Sequence, residues 1–211
     1  MHAPSIAIDV ALIPPKNVQE LAIRMNRALI ASSGDRAITL GSTRCIPHIS
    51  LAMGSVSQEA IASLGEAIRD SARTLLPQMV NITGVTTVTT SSGTRVTGLD
   101  IERTAALQAL HERCMGKVTE WSEGVDSGML LCGDDEPVDE YIVNYIRNYP
   151  THCAYSNFSP HITLGHGDKE ALRMMGGFPL PFRCESLAVC HVGNHGVCKR
   201  ILLSIDTEFQ Q

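Results

Sequence analysis

An α+β fold with largely antiparallel sheets is what the sequence predicts, on three observations. Segments with the two-residue alternation of strands are interleaved with segments whose apolar residues recur at helical spacing. Turn residues between strand-like runs mark hairpins, and no glycine-rich nucleotide loop follows any strand. At 211 residues the chain is long enough to bury a sizeable core, and with no evident linker it reads as one unit over residues 1–211.

The elements follow in order. Residues 5–13 alternate Ile6, Ile8, Val10 and Leu12 with small or polar residues, and Pro14-Pro15 stop the strand. Over 17–31, Leu21, Met25, Ala28 and Leu29 share a helical stripe that Ser33-Gly34 breaks. A strand at residues 47–51 leads to Ser57, a candidate cap for a helix carrying Ile61, Leu64, Ile68, Ala72 and Leu75 up to Pro77. Residues 80–102, rich in Val, Ile and Thr around Ser91-Ser92-Gly93, read as a β-hairpin. A helix follows with Leu107, Leu110, Cys114, Val118 and Trp121 on one stripe. Residues 124–137 form a loop with the acidic run Asp134-Asp135-Glu136, and a short helix is expected over 138–149. After a strand at 160–164 and a helical piece at 169–175, the chain closes with strands at 186–192 and 197–207 around Gly193-Asn194-His195-Gly196.

One phrase occurs twice, as Pro47-His48-Ile49-Ser50-Leu51 and Pro160-His161-Ile162-Thr163-Leu164. In a strand, His48 and Ser50 face one way and Ile49 and Leu51 the other, and the second copy repeats the pattern. A histidine takes or gives a proton near neutral pH, and a hydroxyl donates to an anionic oxygen. Two such pairs meeting in one cleft supply a base, an acid and two oxygen-binding donors, a set suited to in-line displacement at phosphorus without a metal.

The paired strand motif resembles the signature of the 2H phosphoesterase superfamily, which includes 2'-5' RNA ligase-like proteins and RNA 2',3'-cyclic phosphodiesterases. That resemblance covers most of the chain, residues 123–155 matching least well. It implies a two-lobed, pseudo-symmetric fold whose antiparallel sheets face a central cleft, with helices outside. It also implies His48, Ser50, His161 and Thr163 as the catalytic set, with no cofactor and no metal. The function so implied is hydrolysis of a nucleotide phosphodiester, foremost a 2',3'-cyclic phosphate at an RNA end or on a small nucleotide. Reversal of the same chemistry would give 2'-5' ligation. Two rivals stay open: a hydrolase of cyclic or 2'-5'-linked oligonucleotide messengers or ADP-ribose cyclic phosphate, and a noncatalytic module that only binds RNA or nucleotide.

Further candidates for substrate binding are Arg44 before the first motif, Tyr155 before the second and His166 just after it. Tyr141, Tyr145 and Tyr149 at i, i+4 and i+8 form a helical stripe that either packs on the body or stacks a base. His191 and His195 near Cys190 and Cys198 do not have the spacing of a usual zinc site, and no metal is assigned to them.

Composition narrows the partners. A net charge of −5 argues against an extended grip on duplex nucleic acid and favours a nucleotide or RNA end. Seven scattered cysteines with no Cys-x-x-Cys pair read as free thiols of a reducing compartment. With no signal-like start and no apolar run able to span a bilayer, a cytoplasmic monomer without membrane contact is expected.

Overall fold

The computed structural model describes residues 3–90, 93–133 and 136–206. The Ser91-Ser92 turn, Asp134-Asp135 and Thr207 of the last expected strand lie outside the described residues. The strands are β1 (Ser5–Ile13), β2 (Ile49–Ser57), β3 (Gln78–Thr89), β4 (Arg95–Ile101), β5 (His161–His166), β6 (Leu180–Cys184), β7 (Ser186–Val192) and β8 (Cys198–Asp206). The α-helices are α1 (Lys16–Ser33), α2 (Ile61–Ala72), α3 (Ala105–Trp121) and α4 (Glu140–His152).

Two four-stranded sheets form, ordered β2-β1-β7-β8 and β5-β4-β3-β6, and every pairing is antiparallel. Each motif strand is thus an edge strand of its own sheet, and β2 and β5 approach one another where the sheets meet. The helices cross over: α1, which follows β1, packs on β5 of the other sheet, and α3, which follows β4, packs on β2. One continuous apolar cluster therefore runs through both sheets, from Ile8, Leu12 and Leu51 to Leu99, Ile162 and Leu164.

Local chemistry explains most boundaries. The Thr104 hydroxyl accepts from Leu107 N–H (3.1 Å) to start α3, and the Asp139 carboxylate accepts from Tyr141 N–H (3.0 Å) to start α4. That second cap moves the tyrosine helix two residues later than the expected 138 start, and its end runs on to His152. Ser57 makes no side-chain cap; a single 3₁₀ turn, Gln58–Ala60, intervenes before α2. The sequence reading missed β6, because Pro179 and Pro181 look like strand breakers. An edge position tolerates them, since only one side of the strand must pair.

The two motif strands have corresponding registers. Leu12, Ala11, Val10 and Asp9 of β1 pair with Ile49, Ser50, Ala52 and Met53. Leu99, Gly98, Thr97 and Val96 of β4 pair with Ile162, Thr163, Gly165 and His166. Both ladders skip the motif leucine, so Leu51 and Leu164 are bulged residues at the same place in each half. A bulge inverts the facing of all that follows, and this carries Met53 and His166 onto the same face as the motif histidines.

Candidate active site

Each bulge frees a carbonyl, and a buried side chain from the helix that crosses over captures it. Asn26 of α1 donates through Nδ2 to Leu164 O (2.7 Å) and Ile38 O (2.8 Å), and its Oδ1 accepts from Leu40 N–H (3.0 Å). His111 of α3 donates through Nδ1 to Leu51 O (2.6 Å), while its Nε2 accepts from Tyr155 N–H (2.7 Å). Its ring stacks on Phe158 with centroids 4.0 Å apart. Both side chains are fully buried, and burial pushes the His111 imidazole below its ordinary pKa, consistent with a neutral ring. Gly165 fits beside Asn26 because its φ is +142° and a Cβ there would lie 3.0 Å from Nδ2. The strand ends that carry the two motif histidines are thus fixed from opposite lobes.

His48 and His161 are held alike. His48 Nδ1–H donates to Ile46 O (2.7 Å) and His161 Nδ1–H to Ser159 O (2.8 Å), in each case to the carbonyl two residues earlier. That bond fixes the tautomer and turns Nε2 away from the backbone, open at His161 and facing Asp9 at His48. Both rings, with Ser50 and Thr163, line one cleft of about 570 Å³ between the sheets.

Beyond this the halves differ. Asp9 is fully buried on β1, where β4 has Val96 at the corresponding place. Asp9 Oδ2 lies 3.4 Å from His48 Nε2 and accepts from Ser50 Oγ (2.6 Å). Burial opposes charge on His48, but the hydrogen bond and negative charge of Asp9 outweigh it and raise the imidazole pKa to about 9. His48 is therefore an imidazolium at neutral pH. No carboxylate among the described residues pairs with His161, which is exposed to the cleft. The Ser50 proton is given to Asp9, so Ser50 orients the carboxylate rather than reaching for a substrate oxygen. The Thr163 hydroxyl makes no hydrogen bond with a described residue and stays available to the cleft.

The remaining candidates divide. His166 lines the cleft, brought there by the Leu164 bulge. Arg44 is exposed and outside the cleft lining. Tyr155 also lies outside it: at φ +55° its backbone is bonded to His111, Arg103 and Gln108, and its ring meets the His111 ring edge-on with centroids 5.9 Å apart. Nearness to the motif in sequence misplaced it. Of the tyrosine stripe, Tyr141, Tyr145 and Tyr149 all line the cleft, Tyr141 at the exposed rim and Tyr149 buried. Among lysine and arginine, none of the described residues contributes to the lining, whereas His48, His152, His161, His166 and His195 all do. Lys199 is paired with Glu136 (3.3 Å), and His191 is turned to Met129 O (3.0 Å). Sequence reasoning missed Asp9, whose one signal was a lone carboxylate in the otherwise apolar run Ile6 to Leu12.

A cleft lined by two histidines with matched Nδ1 bonds, one just ahead of β2 and one opening β5, is the arrangement of a two-histidine phosphoesterase. Residues 14–196 match the model of the 2'-5' RNA ligase superfamily, and the chain belongs to that family. Among solved structures it is similar to TT0787 of Thermus thermophilus, with 16% identity and a TM-score of 0.57 over 98% of this chain and all of that one. This likeness shows a shared fold. It is also similar to E. coli LigT in its apo form, with 15% identity and a TM-score of 0.49, covering 96% of this chain and 97% of that one. A search of the curated proteins finds no match. Among the described residues no helix is long and apolar enough to cross a membrane.

Proposed function

We propose that the protein hydrolyses a nucleotide phosphodiester, foremost a 2',3'-cyclic phosphate at an RNA end or on a small nucleotide, by acid-base catalysis between its two motif histidines. The observation that carries this reading is the unequal environment of two otherwise matched rings: only His48 has a carboxylate that keeps it protonated. His48 is then the general acid and His161 the general base. His161 Nε2 takes a proton from water as the water oxygen bonds to phosphorus. The bond from phosphorus to one ribose oxygen breaks, and His48 gives that oxygen its proton, leaving a phosphomonoester and a ribose hydroxyl. Thr163 donates to a nonbridging oxygen, where negative charge builds. The face of Tyr141 at the rim supplies a stacking surface for a base.

The test is turnover of adenosine 2',3'-cyclic phosphate and of a short RNA with a cyclic end, in EDTA. Wild type should hydrolyse at least one, and His48→Ala and His161→Ala should each lose about a hundredfold or more in kcat, the lower end for a general acid or base. Full activity in His161→Ala, or loss of wild-type activity on chelation, would refute the scheme. Nucleotide binding without turnover, weakened by either substitution, would instead support a binding module.

A further inference from the structure

The cleft holds a second histidine pair that the proposed chemistry does not use. His166 is the bulge-turned residue of β5, where the other half of the fold has Met53. His195 sits in the turn between β7 and β8 with φ +59°, a conformation uncommon for a side-chain-bearing residue and found more often where function maintains it. The rings are nearly perpendicular with centroids 5.4 Å apart. Each is anchored through Nδ1 on a carboxylate from a different element: His166 on Asp35 after α1 (3.0 Å), His195 on Asp139 at the start of α4 (3.4 Å). Both Nε2 atoms remain without a hydrogen-bond partner among the described residues, and both rings line the cleft.

We propose that His166 and His195 form a second anion subsite, which takes a second phosphate group of the nucleotide substrate. The inference rests on the phosphodiesterase reading above and adds to it a substrate class: nucleotides with a phosphate besides the scissile one. Four strand steps along β5 and its partner separate His161 from His166, about 13 Å. That span accommodates one nucleoside with a phosphate at either end. The lining supplies no lysine or arginine among the described residues, so an anion here depends on imidazole donors. Asp35 accepts from His166 Nδ1–H and Asp139 lies 3.4 Å from His195 Nδ1, so with both ring nitrogens protonated each Nε2–H is the charge-assisted donor left for a phosphate. Arg95 is paired with Asp168 and Lys199 with Glu136.

Calorimetric titration of the wild-type protein at pH 6 compares adenosine 3'-monophosphate with adenosine 3',5'-bisphosphate. The bisphosphate should bind at least about tenfold more tightly, the scale of one charge-assisted contact. In the double variant His166→Asn, His195→Asn the ratio at pH 6 should fall to about one. Asparagine suits position 195 because it tolerates positive φ. Equal affinities in wild type overturn the subsite, and so does a preference that survives the double variant. If that variant does not fold, His166→Asn alone must at least halve the preference or the assignment fails. Turnover of the cyclic nucleotide with no bisphosphate preference refutes the subsite alone. A bisphosphate preference without any turnover refutes the hydrolase reading and leaves the subsite standing.

Discussion

Replacing Asp9 by Asn removes the charge under His48 and keeps the shape and an oxygen that accepts from Ser50. His48 then loses the interaction that raises it to about 9, and its pKa falls to its ordinary value of 6.5 or lower, since burial of the ring remains. At pH 8 a group of pKa about 9 is about 90% protonated and one of 6.5 about 3%, so the variant has about thirtyfold less of the competent acid. The assay is kcat/KM for a cyclic nucleotide from pH 5 to 10. Wild type should lose activity above about pH 9, and Asp9→Asn should lose it from pH 6.5 upward. A basic limb that stays near 9 in the variant would refute the assignment of His48 as the acid. Stability carries the same signature. A folded-state pKa raised above 6.5 stabilises the fold fully below pH 6.5, and that contribution is lost as pH rises through about 9. Wild type should therefore exceed the variant by about 3 kcal/mol more at pH 6 than at pH 10, as read by urea denaturation.

Other outcomes follow from the same geometry. Thr163→Val removes the free hydroxyl donor and should lower kcat about a hundredfold with KM little changed, measured by steady-state kinetics. Asn26→Ala and His111→Ala each leave a buried bulge carbonyl unsatisfied and should cost about 2–4 kcal/mol in denaturant midpoints. A wild-type midpoint in either would show that the bulges hold themselves. Because burial keeps His111 below its unfolded pKa, its contribution is present above about pH 6.5 and lost below, so acid denaturation should begin later in His111→Gln relative to its own neutral stability. Tyr141→Ala should raise KM for an adenine nucleotide about tenfold, the weight of one stacked base, while kcat changes little.

The repeated motif made His48 and His161 legible in the sequence, because two strand-period copies carry their own facing rule. Most strands and helices were legible for the same reason: apolar residues recur at a period that only one element satisfies. Other features depend on through-space partners. Asp9 looks like an interruption of an apolar strand until Met53 and Ser50 are laid beside it. His166 belongs to the wrong parity from His161 until the Leu164 bulge is seen, and strand periodicity holds no sign of a bulge. The prolines around β6 hid a strand that an edge position permits. Arg44 and Tyr155 are the opposite case: they are near a motif in the chain but lie outside the cleft lining.

The crossing of α1 and α3 bears on how substrate comes and goes. Jaws that opened by swinging one sheet from the other would tear Asn26 from Leu164 and His111 from Leu51 together, since each helix is built into the opposite lobe. Traffic must then pass over the fixed walls, at the rim where α4 and the β7–β8 turn meet. Release of product becomes a matter of local side-chain motion there, apart from the geometry in which the proton moves.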